Sequence, residues 1–236
     1  MITGVLQARV SSRRLESKVL ADLVGQPMIL RQIERLRRSN RMDKLIVATS
    51  TDPTDDSLVR ACTGYGVECY RGSLDDVLGR MLLAAGRTEH IVRLTADCPL
   101  ADPEVVDHVI SAHVDNCNDY TSNTLVRTFP DGLDVEVVRQ SVLAIAAREA
   151  QQAYDREHVT PFLYKRPSRF KLGNVTSEID RSSLRWTVDE HVDLELVRAI
   201  YAALYPLNPN FTTQDVLRVL DSRPELAKLN EHLGAL

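Results

Sequence analysis

Ile2-Thr3-Gly4-Val5-Leu6 runs directly into Gln7-Ala8-Arg9-Val10-Ser11-Ser12-Arg13-Arg14-Leu15-Glu16-Ser17-Lys18. The first stretch reads as a short apolar strand. The second is a loop that carries four Lys/Arg, two adjacent hydroxyls and one acid between Arg9 and Lys18. Guanidinium forks, an ammonium and backbone N–H groups together match the oxygens of a polyphosphate, so such a loop at a strand end points to an anion site. A solvated basic turn has the same composition, and the choice between them rests on the rest of the chain.

Working outward, strand-like and helix-like runs alternate. Ile2 to Leu6 precedes a helix from Met28 to Ser39; Leu45 to Thr49 precedes one from Asp55 to Tyr65; Val67 to Tyr70 precedes one from Asp75 to Gly86; Ile91 to Thr95 precedes one from Pro103 to His113. Four such units, the last opened by an Asp102-Pro103 cap, predict an α/β fold with a mostly parallel sheet flanked by helices. Ligands of such sheets bind beyond the carboxyl ends of the strands, which puts the Gln7 to Lys18 and Thr95 to Leu100 loops on one rim. After about residue 118 the alternation gives way to short extended pieces at Tyr120 to Ser122, Asp134 to Val138 and Phe170 to Val175, read as a smaller lobe inserted over the rim. Trp186-Thr187-Val188 reads as a last strand, and Val197, Ile200, Tyr201 and Leu204 as the buried stripe of a helix.

The 236 residues fit one domain that buries roughly 70 to 75% of its unfolded surface. Apolar content of 44% and charge of 26% are those of a globular protein. No run approaches the ~18 apolar residues of a membrane helix and the N-terminus lacks the form of a signal peptide, so a cytoplasmic protein with no membrane partner is expected. Cys62, Cys69, Cys98 and Cys117 have no CxxC spacing, which predicts independent reduced thiols rather than a zinc site or disulfide framework. Residues 1 to 41 carry nine Lys/Arg against three acids, a charge of +6 in a chain whose net charge is -4, leaving -10 for the remainder. Without aromatic interleaving in the basic part, that split favours a small polyanion over nucleic acid. Arg31, Arg35 and Arg38 read as the wet face of the first helix, opposite Ile29, Ile33 and Leu36.

Three further constellations carry chemistry. In Arg93-Leu94-Thr95-Ala96-Asp97-Cys98-Pro99-Leu100 a strand delivers a carboxylate just before a proline turn, and Arg185-Trp186-Thr187-Val188-Asp189 repeats the arrangement at a helix start. Each Asp reads either as a cap or as a hard oxygen ligand for Mg2+; two rim carboxylates opposite a basic loop together favour metal-bridged phosphates. In Arg127-Thr128-Phe129-Pro130-Asp131-Gly132-Leu133-Asp134-Val135-Glu136, Asp134 and Glu136 share one strand face and could accept hydrogen bonds from a polyol, or belong to a solvated edge. His158, just before Thr160-Pro161, reads as a structural histidine, and the chain holds no nucleophile arrangement and no GxGxxG.

Taken in order, QARVSSRRLESKVL, VATSTDP, RGSLDDVLGR, RLTADCPLADP, SNTLVRTFPDGLDVEV, REHVTP and LRWTVDEHVDLELVR resemble the spore coat polysaccharide biosynthesis protein F family, which is similar to the synthetases of CMP-sialic acids and CMP-Kdo. The resemblance spans Ile2 to about Leu204. It implies a Rossmann-like, GT-A-type nucleotidyltransferase fold, CTP as nucleotide substrate, Mg2+ as cofactor, a sugar acid as acceptor, and a homodimer whose lobe of residues 118–180 serves acceptor binding and dimerisation. Carried over position by position, it makes Arg9, Ser12, Arg14 and Lys18 the triphosphate-binding set, with Ala8 against the cytosine and Gly72, Ser73 and Asp76 near the nucleoside. Asn123, Arg127, Asp134 and Glu136 fall near the sugar, Asp97 and Asp189 become the Mg2+ ligands, and Arg14, Lys18 and Asp97 carry catalysis. Where the family motif reads Gly-Ser-x-Arg-Leu-Pro-Gly-Lys, this chain has Ser11, Glu16 and Ser17 in place of both glycines and the proline, which predicts a reshaped phosphate cradle and an altered nucleotide preference.

The implied reaction is in-line attack of the acceptor's anomeric hydroxyl on the α-phosphate of CTP, with pyrophosphate leaving and no obligatory side-chain base. Two rivals stand beside it. A metal-dependent glycosyltransferase would place a DxD after a central strand, where this chain reads Asp97-Cys98-Pro99; a non-catalytic nucleotide-binding protein would fit the altered loop.

Overall fold

A computed structural model describes residues 1–12 and 14–234; Arg13, within the basic loop, lies outside the described residues. Seven strands form one sheet in the order β3-β2-β1-β4-β6-β5-β7. They are β1 (Ile2–Gln7), β2 (Lys44–Ser50), β3 (Glu68–Gly72), β4 (His90–Thr95), β5 (Tyr120–Ser122), β6 (Glu136–Arg139) and β7 (Leu172–Asn174). β1 pairs in parallel with β2 and β4, β2 in parallel with β3, and β6 runs antiparallel between β4 and β5. The sheet is therefore mixed and mostly parallel, as the alternation predicted. The three extended pieces after residue 118 continue this same sheet as β5 to β7.

Strands buried on both faces must be apolar at consecutive positions, and these are. Leu6, Val47, Val92 and Val137 pack on one side against α1 (Met28–Leu36), α2 (Asp56–Gly64) and α4 (Pro103–Asp115). Val5, Ile46, Ile91 and Val138 pack on the other against α3 (Val77–Ala85), α5 (Gln140–Glu149) and α7 (Pro161–Tyr164), while α6 (Ala153–His158) packs on α3. A third cluster joins α8 (His191–Leu204) and α9 (Thr213–Ser222) to Leu15, Leu23, Leu100 and Trp186, and the short α10 (Pro224–Ala227) packs on its border.

Two expectations are corrected. Trp186-Thr187-Val188 joins no strand; the segment is held by single hydrogen bonds, Trp186 N–H donating to Asp131 O at 2.6 Å and Val188 N–H to Asp97 O at 2.7 Å. Arg35 is not on a wet face but 2% exposed. Its guanidinium donates to Ala101 O at 2.8 Å, Phe211 O at 3.0 Å and Leu100 O at 3.4 Å while stacking on the Phe211 ring, so it stitches α1 to the loop after β4 and to the start of α9. Burial pushes its pKa down, and the carbonyl oxygens are what make the buried cation tolerable.

The register sets the rim. Gln7 stands opposite both Ala48 and Thr95, so β1 and β4 end level, β2 runs two residues further to Ser50, and the loops after β1 and β4 leave from the same rim. Asp102 caps α4 by accepting from Glu104 N–H at 2.9 Å, with Pro103 in the first turn as expected, and also accepts from Thr213 N–H at 2.9 Å. Among the described residues no helix is long and apolar enough to cross a membrane.

At the far end of the sheet His90 Nδ1 lies 3.1 Å from His113 Nε2, and His113 Nδ1 lies 3.1 Å from Thr121 Oγ1. Burial, and secondarily the His90 charge, push His113 down to about 3. The unfolded chain then binds more protons than the folded one between the two pKa values. Stability should be full above pH ~6.5 and fall with decreasing pH by at most about 1.4 kcal/mol per unit on account of this residue. We expect the stability deficit of His113→Gln relative to the parent, read by urea unfolding, to narrow as pH falls from 6.5 toward 4.5; a constant deficit would contradict the assignment.

Candidate active site

The loop after β1 is anchored from beneath. Asp55, fully buried at the head of α2, accepts from Val10 N–H at 2.7 Å, Ser50 N–H at 3.1 Å and Ser50 Oγ at 2.5 Å. Ser17 N–H returns to Val10 O at 3.1 Å, and Leu15 is buried in the third core cluster. Ser17 itself adopts φ 57°, ψ 20°, the left-handed conformation in which glycine is at ease and a Cβ costs about 1 kcal/mol. The serine thus keeps the backbone path that a glycine would take there. Pinned at both ends, the loop leaves Arg9 and Arg14 exposed and buries Lys18.

Lys18 Nζ donates to Asp189 Oδ1 at 2.8 Å, to Val188 O at 2.7 Å and to Asp97 Oδ2 at 3.4 Å. Arg14 meets Asp189 Oδ2 at 2.9 Å. The two candidate metal ligands, 92 residues apart in sequence, therefore converge on one cationic centre. Neither Asp is a helix cap: α8 is capped by Glu190 in a capping box with Asp193, and α4 by Asp102. Burial works to raise the Asp97 pKa, but the Lys18 charge and the hydrogen bonds to Asp97, among them those from Thr95 and Cys98, outweigh it and hold the carboxyl below the usual range.

This centre lies on the wall of a cavity of about 910 Å3. Ala8, Arg9, Ser12, Arg14, Lys18, Asp97 and Asp189 all line it, so one cavity unites the basic loop with the two rim carboxylates. Gly72, Ser73 and Asp76 are not on that wall; their neighbours Leu74 and Asp75 are. Asp76 instead caps α3 through Gly79 N–H at 2.9 Å and pairs with Arg156 at 2.5 Å, tying α3 to α6.

A second cavity of about 210 Å3 adjoins the first, sharing Arg93, Thr95 and His158 with it. Arg127, Asp134 and Glu136 line it as a set. Asp134 is clamped by Arg127 through two hydrogen bonds of 2.9 and 2.8 Å. Glu136 pairs with Arg93 and accepts from Tyr120 Oη at 2.6 Å and Thr160 Oγ1 at 2.5 Å. Burial works to raise the Glu136 pKa; the Arg93 charge and these donors overcome it and keep the carboxyl ionised. Asn123 is not on this wall: 2% exposed, it spends its amide on Leu133 O at 2.8 Å and Val135 N–H at 2.9 Å, fastening the end of β5 to the approach to β6.

His158 is corrected from its structural reading. It is exposed, lies against the Tyr154 ring at 4.3 Å, and stands at the junction of the two cavities. The next residue, Val159, takes φ 72°, ψ -58°, with Thr160 N–H donating to His158 O at 2.9 Å: a γ-turn of the strained kind, made on a fully buried β-branched residue. Nothing in Glu157-His158-Val159-Thr160 marked that strain. Arg93 was also missed as a site residue, although a lone arginine inside the apolar run Ile91 to Leu94 was the signal for it.

The basic loop after β1 and the two converging carboxylates thus stand together at one rim of the sheet. A sequence model described as cytidylyltransferase matches residues 3–215, and the chain belongs to that family. It is 31% identical to the spore coat polysaccharide biosynthesis protein SpsF of Bacillus subtilis over 98% of each chain, and 32% identical to the uncharacterized protein MJ1063 of Methanocaldococcus jannaschii over 98% of this chain and 95% of that one. A cytidylyltransferase from Leptospira borgpetersenii superposes with a TM-score of 0.91 at 28% identity, covering 96% of both chains. The CMP:2-keto-3-deoxy-manno-octonic acid synthetase complexed with CTP shares the fold, with a TM-score of 0.63 at 17% identity over 86% of this chain and 98% of that one.

Two substitutions test the anchoring of the loop. Asp55→Ala strands three buried donors and should cost about 3 kcal/mol of unfolding free energy. Ser17→Gly relieves the left-handed serine and should raise stability by about 0.5 to 1 kcal/mol; a loss on Ser17→Gly in denaturant titrations would show that the serine is not strained.

Proposed function

We propose that this cytidylyltransferase transfers CMP from CTP to a hydroxyl of a sugar acid in surface polysaccharide biosynthesis. The observation that carries the reading is the convergence of Asp97 and Asp189 on one cationic centre at the wall of a cavity that Arg9, Ser12 and Arg14 also line. The triphosphate lies along the loop after β1, with its β- and γ-phosphates against Arg14 and Lys18 and the base against Ala8. The sugar acid occupies the adjoining cavity, its hydroxyls facing Asp134 and Glu136 and its carboxylate the guanidinium groups of Arg93 and Arg127.

The donor set suits Mg2+. Two carboxylates already share one cation, and Asp97 and Asp189 would hold the ion through hard oxygens, with phosphate and water able to supply the rest of its ligands. Bound between Asp97 and Asp189, the ion would neutralise charge on the phosphate oxygens and polarise the attacking hydroxyl. The acceptor oxygen forms a bond to the α-phosphorus as the bond from that phosphorus to the α,β-bridging oxygen breaks. The electron pair departs with pyrophosphate, whose charge Arg14 and Lys18 hold. The hydroxyl proton passes to solvent, and catalysis is positioning and charge neutralisation.

The glycosyltransferase reading lacks its D-x-D after the central strand, where Asp97-Cys98-Pro99 stands, and Asp134-Val135-Glu136 belongs to the second cavity. The resemblance also carries a homodimer through residues 118–180. Val126 and Ile179, 60% and 58% exposed, supply apolar surface there, and light scattering on the purified chain reads the assembly.

Pyrophosphate release with CTP, Mg2+ and a panel of sugar acids tests the proposal. Asp97→Asn and Lys18→Ala should each lower kcat at least 100-fold, about 2.7 kcal/mol in the transition state. Full turnover by either variant, or turnover with UTP, ATP or GTP in place of CTP, would defeat it.

A further inference from the structure

The cytidylyltransferase match ends at residue 215, yet the chain beyond it reaches the Arg185–Asp193 pair that stands against Asp189. Asn230, 2% exposed, donates from Nδ2 to Asp193 Oδ1 at 2.7 Å and to Arg185 O at 2.9 Å. Asp193, fully buried, grips Arg185 Nε at 3.1 Å and Nη2 at 3.2 Å. It also accepts from the backbone N–H of Asp189 and of Glu190, both at 2.9 Å. Arg185 Nη2 in turn donates to Asp189 Oδ2 at 3.2 Å, and its Nη1 lies 3.4 Å from both Asp131 Oδ2 and Gly234 O.

The partners of Asp189 differ in kind. Lys18 and Arg14 approach it from the cavity side, both lining that wall, and the Arg14 side chain is 52% exposed. The Arg185 side chain is 4% exposed and stands behind. Phosphates entering the cavity would compete for Arg14 and Lys18, but not for the buried contacts of Arg185 with Oδ2 and of Asp193 with the Asp189 backbone.

We infer that Asn230 is a positioning residue: the segment after α9 inserts it behind the Arg185–Asp193 pair, and through that pair it fixes the Asp189 carboxylate for metal and phosphate binding. The inference rests on the reading of Asp189 as a metal ligand given above. A partner one step removed from a ligand commonly alters metal affinity or activity by roughly 10- to 100-fold. Asn230 acts through two intermediaries, so the lower end is expected.

The test uses the full chain with Asn230→Ala, Asn230→Ser and Asp189→Asn. Titration calorimetry measures CTP binding with Mg2+ and with chelator, and turnover is followed against Mg2+ concentration. Asn230→Ala should raise the Mg2+ concentration for half-maximal turnover roughly tenfold. It should shrink the Mg2+-dependent gain in CTP affinity and leave the chelator value within twofold of the parent. Asn230→Ser keeps a donor and should recover part of the loss; should Asn230→Ala not fold, the same comparison is made with Asn230→Ser against the parent. A merely structural role would lower Tm and leave the Mg2+ dependence of the folded fraction unmoved, and that result overturns the inference. If Asp189→Asn also leaves the Mg2+ dependence unmoved, the metal reading of Asp189 falls and the inference with it. If Asp189→Asn abolishes the dependence while Asn230→Ala does not change it, only the role of Asn230 falls.

Discussion

The Lys18 ammonium is the interaction on which the rim depends. An ammonium has three protons to donate, and here each has an oxygen: Asp97, Val188 and Asp189. Those acceptors come from the end of β4 and from the irregular segment before α8, while Lys18 comes from the loop after β1. One buried cation thus joins three parts of the chain that are distant in sequence. Two carboxylates this close to one centre repel unless a cation lies between them, so the arrangement holds only while something positive occupies the middle. On the proposed reaction that requirement becomes function, because Mg2+ can take the same position once phosphates engage Lys18.

Behind that centre, buried polar side chains rather than regular pairing hold the loops. Asp55 fixes the backbone of Val10 from below, Arg35 collects carbonyls from two loops, and Asp102 spans the starts of α4 and α9. The segment that delivers Asp189 has no strand neighbour, so its position depends on close approach. Gly132 allows this: at φ 108° its missing Cβ leaves room for the backbone of Trp186 and Thr187, which a Cβ would meet at 2.6 to 2.7 Å. Such sites are costly to disturb, since removing one partner leaves another buried and unpaired.

What could be read from the sequence follows from what periodicity and end signals encode. The apolar runs of β1, β2 and β4 and the cap at Asp102 are local, so the mostly parallel sheet and its rim were legible. The three constellations at Arg14, Asp97 and Asp189 were legible because each ends an apolar run with charge. Arg35 was misread because helical spacing shows which residues share a face but not that a second layer, Phe211 and the loop at Leu100 to Ala101, covers the polar one. Trp186 to Val188 was misread because β-branched and aromatic residues there serve burial without pairing. His158 and Asn230 owe their places to long-range contacts across the fold, for which a single sequence carries no local mark.

The departures in the basic loop weigh less in the folded chain than their residue types suggest. Ser17 adopts the left-handed conformation that its position demands, at a cost of about 1 kcal/mol that the anchors at Val10, Leu15 and Lys18 can impose. Glu16 is exposed and is not on the cavity wall, so its charge faces solvent, where salt screens it, and not the cavity. Ser11 does line the cavity and puts a hydroxyl where glycine would present bare backbone. The loop thus holds a strained serine in place through its surroundings, while Lys18 and Arg14 stand paired with the two carboxylates.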